Sequence, residues 1–117
     1  MNDSKELVAA AKAAGSCLTA EQAAVRARTP GVLVLDIREH AEHEAGAIPG
    51  VVHITRGVLE FKIAEACADK TSEILLHCAG GGRAALAAQS LQNLGYDNVH
   101  IVDAPFADFA AAYAAQK

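Results

Sequence analysis

Residues 74–86 read ILLHCAGGGRAAL. Ile74 to His77 form a short apolar run that suits a buried strand. Cys78 closes the run, Gly80, Gly81 and Gly82 follow almost at once, and an alanine-rich helix pattern starts near Arg83. Strand, glycine loop and helix in that order are the unit of a parallel sheet. The same unit recurs on either side. In GVLVLDIR, Val32 to Leu35 make an unbroken apolar run with β-branched content, too short for a helix, as expected for a strand covered on both faces. Further strands are expected near Val51 to Ile54 and at Val99 to Val102.

Helices are expected between them. In LTAEQAAVRARTPG, Thr19 and Gln22 have the spacing of a capping box, and Pro30-Gly31 ends the segment. REHAEHEAG makes a helical turn that stops at Gly46. In RGVLEFKIAEACADK, Val58, Leu59, Phe61, Ile63, Ala64 and Cys67 suggest a buried helix face. The helix after the glycine loop runs from about Arg83 to Leu94 and is closed by Gly95. PFADFAAAYAAQK is a last helix, with Pro105 near its first turn. The alternation predicts a single α/β domain: an open parallel β-sheet with helices on both faces. Residues 1–15, alanine-rich up to Gly15, are read as an accessory N-terminal helix, and residues 16–117 as the domain. Sites in such sheets lie at the carboxyl ends of the strands. Cys78, Asp36 and the segment after Ile54 all fall there.

The chain has 117 residues, 52% of them hydrophobic, enough for one domain with a real core. Its formal net charge of −4 is made of scattered charges, which argues against a nucleic-acid partner. No apolar run is long enough for a membrane span, and the N-terminus lacks the pattern of a secretory signal. A soluble, cytoplasmic protein is expected. Three widely spaced cysteines, Cys17, Cys67 and Cys78, do not form a disulfide framework. Cys17 and Cys67 are read as small buried hydrophobes. His40 and His43 are read as a solvated face, and no metal or organic cofactor is expected: HExxH and CxxC patterns are absent.

Cys78 differs because of its neighbours. A thiol with an ordinary pKa near 8.5 is only about 3% ionised at neutrality, and the thiolate is the nucleophile. Gly80, Gly81 and Gly82 would let the loop curl with left-handed dihedrals and turn several N–H groups inward. The following helix adds its positive end, and Arg83 a fixed charge and a planar fork of donors. Such a cradle could equally hold an oxyanion. The chemistry requires the sulfur to meet solvent. The residues alone leave a reactive thiol and an incidental strand-end cysteine both open. A phosphate-binding P-loop is excluded, because Gly82 is followed by Arg83-Ala84 and not Lys-Ser/Thr. His77 should point to the opposite sheet face from Cys78. Asp36 is expected to hydrogen-bond neighbouring loop amides in a structural role. Arg56 is either a second anion contact or the partner of Glu60 on a helix surface.

These segments resemble the single-domain, rhodanese-like sulfurtransferases over roughly Leu18 to Val102. LTAEQAAVRA looks like that family's first helix. VLVLDIREHAEHEAGAIPGVVHI resembles its strand-and-turn signature, with Asp36, Arg38, Glu42, Gly46, Ile48, Pro49 and Gly50 at matching places. RGVLEF resembles a segment that some members carry, and ILLHCAGGGRAALAA resembles the active-site loop and its helix. The chain departs from the pattern at Ala47, at His43 and after the last strand, where it has no tryptophan. The resemblance implies that Cys78 is the nucleophile and persulfide carrier. It implies that the amides of Ala79, Gly80, Gly81, Gly82 and Arg83 cradle an anionic sulfur, and that Arg83 stabilises loop and substrate charge. The implied donor is a small sulfur-containing anion such as thiosulfate or polysulfide. The implied acceptor is cyanide or a protein or low-molecular-weight thiol, with no cofactor. A non-enzymatic sulfur carrier, sensor or partner-binding module is the alternative. Phosphatases and arsenate reductases of related build have five residues between cysteine and arginine; here there are four.

Overall fold

A computed structural model describes residues 3–116. The elements in chain order are α1 (Ser4–Ala14), β1 (Cys17–Leu18), α2 (Ala20–Ala27), β2 (Leu33–Asp36), α3 (His40–Ala45) and β3 (Val52–His53). A 3₁₀ turn (Arg56–Val58), α4 (Leu59–Ala66), β4 (Ile74–His77), α5 (Gly82–Asn93), β5 (Val99–Val102) and α6 (Phe106–Ala115) complete them. The strands form one sheet in the order β1-β5-β4-β2-β3, and all four pairings are parallel. Every strand therefore ends on the same edge, which carries Cys78. Among the described residues no helix is long and apolar enough to cross a membrane.

Alternation along the strands sorts the core into two layers. Leu35, Ile37, Leu76, Cys78 and Ile101 pack on one face with α1, α4 and α5. Val34, Leu75 and Val102 face the other way, onto α2 and α6 through Ala23 and Phe109. The alanines of α5 at positions 84, 85, 87 and 88 are buried, so that helix lies close on the sheet. The α1 helix belongs to the same core. Asp3 caps it by accepting from the Glu6 N–H at 2.9 Å, and Ala11 is buried against the sheet. Residues 1 and 2 of the expected N-terminal helix, and Lys117 of the last one, lie outside the described residues.

Several boundaries differ from the sequence reading. β2 is shifted by one residue, because Asp36 pairs through its backbone with both His53 and His77 despite its charge. β1 was not foreseen: two residues pair with Ile101 and Val102 and carry no apolar run. The buried stripe of the α4 segment is Leu59, Ile63 and Cys67, spaced by four, whereas Phe61 is 84% exposed. The expected set had wrapped more than one face. Cys67 is buried, but Cys17 is exposed, because β1 is an edge strand.

His77 does face away from Cys78. Its ring lies 5.7 Å from that of Phe106 and 5.2 Å from that of Phe109, and neither ring nitrogen has a hydrogen-bond partner among the described residues. Burial lowers its pKa to about 4, against a partial opposing pull from the Asp36 carboxylate. The unfolded chain binds a proton here below about pH 6.5, while the folded chain refuses it until about 4. Stability is thus full above pH 6.5 and is lost as pH falls toward 4, by on the order of 3 kcal/mol from this group. In urea unfolding at pH 7 and pH 5, His77→Leu should flatten the wild-type loss. An equal loss in both proteins would contradict this assignment.

Candidate active site

The β4 strand delivers Cys78 to the carboxyl edge, and the chain must then reverse into α5. Gly81 makes the reversal at φ +100°, in the left-handed region that side chains disfavour. The space is also tight: a Cβ there would lie 3.3 Å from Asp103 Oδ1 and 3.3 Å from the Val102 carbonyl oxygen. Of the three loop glycines, only Gly81 has positive φ, which narrows the sequence expectation. The turn swings the Gly81 N–H onto the Cys78 sulfur at 3.1 Å. α5 starts at the next residue, one earlier than expected, so its positive end also lies beside the sulfur. Ala79 is held from the far side, its carbonyl accepting the Phe106 N–H at 2.9 Å.

The expectation of an open thiol is not met in this conformation. Cys78 is 2% exposed, although Ala79 and Gly80 at the crest of the loop are exposed. Cys78 belongs to the core layer that holds Ile37 and Leu76, and the Gly81 N–H reaches its sulfur from the loop.

Arg83 leaves the first turn of α5 and meets Glu42 of α3 in a two-pronged pair, at 2.7 and 2.9 Å. The guanidinium holds the Glu42 carboxyl down to about 2, helped by the Glu39 N–H. Glu42 in turn raises the Arg83 pKa, and the nearby Cys78 sulfur adds to that. The fixed charge next to the loop is therefore already shared with a carboxylate. α3 has no buried residue of its own, so this pair is one of its two anchors.

The second anchor is Asp36. Burial alone would raise its pKa, but hydrogen bonds from Arg38 and His43 outweigh burial and hold it well below the usual carboxylate range. Arg38 donates Nε–H to Oδ1 and Nη2–H to Oδ2, both at 2.9 Å, and its backbone N–H reaches Oδ1 at 3.0 Å. Nη2 of Arg38 also reaches the Gly46 carbonyl at 2.7 Å. His43 Nδ1 donates to Oδ2 at 2.8 Å, and its ring stacks on His53 at 4.1 Å. His43 is thus half-buried and engaged, where the sequence suggested a solvated face.

The family profile described as the Rhodanese-like domain matches residues 19–112. The chain belongs to the rhodanese-like domain family. It is 38% identical over 66 residues to the putative sulfur carrier protein YrkF of Bacillus subtilis (strain 168), which covers 56% of this chain and 35% of that relative. The chain thus spans about a third of the length of that curated relative. A protein of unknown function from Rhodopseudomonas palustris, described as a possible tyrosine phosphatase, superposes with a TM-score of 0.82 at 29% identity, covering 96% of this chain and 92% of that one. A thiosulfate sulfurtransferase from Pseudomonas aeruginosa superposes with a TM-score of 0.78 at 27% identity, covering 93% of this chain and 22% of that one.

Within this rhodanese-like domain, Arg56 makes the pair with Glu60 that was one of the two roles expected of it. Its Nη1 donates to both Glu60 oxygens at 3.0 Å, and its Nη2 to Ser90 Oγ at 3.0 Å. The guanidinium clamps the 3₁₀ turn to α5. The sequence reading assigned no role to Arg38 or Glu42, although both stood in the signature. The Asp-x-Arg spacing and the carboxylate without a partner in its own helix were the available signals. Support from α1 had no signal: a Cβ on Gly82 would lie 3.6 Å from Val8, and Lys12 pairs at 2.8 Å with Asp103, which abuts Gly81. Among the described residues no group of three or more His, Cys, Asp or Glu is arranged to hold a metal ion.

The backbone geometry separates the loop glycines experimentally. Gly81→Ala should cost about 1–2 kcal/mol, from forcing a side chain into the left-handed region, and lower the melting temperature by several degrees. Gly80→Ala, with open space around its Cβ position, should stay within about 0.5 kcal/mol of wild type. Calorimetry of the two variants checks the contrast.

Proposed function

We propose that the protein is a sulfurtransferase that carries sulfane sulfur on Cys78 as a persulfide. The observation that carries this reading is the Gly81 N–H held on the Cys78 sulfur at the start of α5. A donor amide and a helix N-terminus favour negative charge at that atom, and both a thiolate and a persulfide are anions. The ionised Cys78 sulfur attacks the outer sulfur of thiosulfate. A sulfur–sulfur bond forms to Cys78, the bond to the sulfonyl sulfur breaks, and sulfite leaves with the electron pair. In the second half, an acceptor thiolate or cyanide attacks the outer sulfur of the persulfide, and Cys78 leaves as thiolate. Charge and atoms balance in each half, and the two halves need no metal or organic cofactor.

Two structural features shape this chemistry. Because Arg83 is paired with Glu42, it fixes the loop and α3, and recognition of the donor anion falls to the loop amides from Ala79 to Arg83. Because Cys78 is 2% exposed, the exposed crest at Ala79 and Gly80 must lift for the donor to reach the sulfur. The similarity to a sulfur carrier and to a thiosulfate sulfurtransferase supports sulfur as the cargo. The similarity to a possible tyrosine phosphatase makes phosphoester hydrolysis the second reading. The four-residue spacing from Cys78 to Arg83 disfavours it, since a tetrahedral phosphate needs the wider cradle. A reducing, cytoplasmic setting with abundant thiols suits the acceptor half.

Mass spectrometry after exposure to thiosulfate, polysulfide and a thiol sulfane donor tests the proposal. The intact protein should gain the mass of one sulfur atom. Cys78→Ser should abolish the adduct and Cys17→Ser should keep it. Retained labelling in Cys78→Ser would refute the assignment. Loading without turnover on cyanide or thiols would favour the carrier, and hydrolysis of an aryl phosphate would favour the phosphatase.

A further inference from the structure

Arg83 is the one charged residue of α5, and the end of its fork is already occupied. Its Nη1 and Nη2 donate to the two Glu42 oxygens at 2.7 and 2.9 Å. Glu42 is pinned a third time, accepting the Glu39 N–H at 3.0 Å. With its carboxyl held down to about 2, Glu42 is a carboxylate at any pH at which a thiol ionises. Two further cations at this edge are matched in the same way, Arg38 by Asp36 and Lys12 by Asp103. Glu39 is exposed and, among the described residues, has no ion-pair partner. It also lies within electrostatic reach of Arg83, as does the Cys78 sulfur. What meets the sulfur is therefore a set of dipoles, the Gly81 N–H and the start of α5, beside an Arg83 charge that is already matched.

Such surroundings sort donors by charge. The attacking thiolate is itself an anion, so a donor is repelled in proportion to its own charge, and a dianion is also costlier to strip of water. An unmatched guanidinium would offset both costs, whereas one shared with a carboxylate offsets little of either. Inward amides can still hold a single oxyanion charge. Thiosulfate carries two negative charges and a thiosulfonate one, with the same kind of outer sulfur at the reacting end.

We infer that Glu42 is a specificity-determining residue, which by matching Arg83 turns the Cys78 site toward singly charged sulfane donors of the thiosulfonate class and away from dianionic thiosulfate. This deepens the proposed function and rests on it for the transfer step. The Cys78 thiolate attacks the outer sulfur of the thiosulfonate and a sulfur–sulfur bond forms. The bond to the sulfonyl sulfur breaks, and a sulfinate leaves with the electron pair. One negative charge stays on the persulfide and one departs with the sulfinate, so atoms and charge balance. The pair of Glu42 and Arg83 is about a third exposed on both sides, so salt screens its effect.

A charge series of reagents tests the inference on wild type and Glu42→Gln, with reaction at Cys78 followed by mass spectrometry. Iodoacetamide is neutral, iodoacetate and methanethiosulfonate carry one negative charge, and thiosulfate carries two. Rates are taken relative to iodoacetamide, which corrects for access and for the thiolate fraction. Glu42→Gln should raise the relative rate of thiosulfate about tenfold, and those of methanethiosulfonate and iodoacetate about threefold, since repulsion scales with donor charge. Wild type alone gives a second reading that needs no variant: added salt should speed thiosulfate more than methanethiosulfonate, whereas an unmatched Arg83 would make salt slow it. Equal relative rates in the two proteins, a slower thiosulfate reaction in Glu42→Gln, or slowing by salt in wild type overturns the inference. Alkylation of Cys78 without loading by either sulfur donor overturns the sulfurtransferase reading instead. The ratio of iodoacetate to iodoacetamide then judges the charge selection by Glu42 on its own.

Discussion

The left-handed backbone at Gly81 is the constraint on which the site depends. It converts the end of a parallel strand into the start of a helix within three residues of Cys78. One conformation aims an N–H at the sulfur, starts α5 beside it and presses the loop against Asp103 at the end of β5. A residue with a side chain would meet steric cost from its own dihedrals and from two neighbouring oxygens at once. The turn that places the Gly81 N–H on the Cys78 sulfur is thus set by backbone conformation.

Around that turn the charged residues divide into two kinds. Asp36 is fully buried and Arg38 nearly so, and each carboxylate oxygen of Asp36 has more than one donor. Removing one partner of such a pair leaves a buried charge unmatched, which typically costs 3–5 kcal/mol. The pair of Glu42 and Arg83 is about a third exposed on both sides, and pairs of that kind contribute roughly 0–1 kcal/mol. The first holds the turn after β2 in shape. The second is weaker and lies closer to Cys78, linking a helix without a buried face to the loop that carries it. Stability and adjustability are therefore assigned to different ion pairs within one short segment.

The two faces of the sheet have separate roles at adjacent positions. Cys78 belongs to the layer with α1, α4 and α5, and His77 to the layer with α2 and α6. His77 is kept neutral by burial and takes no part in the sulfur site. The α6 layer still reaches the loop, through the Phe106 N–H on Ala79 and through Asp103. The helix before the family's matched region reaches it from the other side, through Val8 and Lys12.

Much of this was readable in one dimension. Apolar runs of four residues between capped, alanine-rich helices specify a parallel α/β sheet, because only strands covered on both faces tolerate such runs. The run from Ile74 into Cys78, the glycines and Arg83 placed the thiol at the carboxyl edge of the sheet, where it is found. Pairing partners were beyond reach, because they depend on which distant side chains share a surface. The charge of Arg83 was legible beside the loop, but its partner Glu42 was not. The bonds that tie Arg56 to Glu60 and Ser90 join separate segments, so Ser90 could not be read as its partner. Phe61 was assigned to a core that a helix of this pitch could not bring it to. Burial of Cys78 and exposure of Cys17 arise where separate segments meet, and only the folded chain decides those.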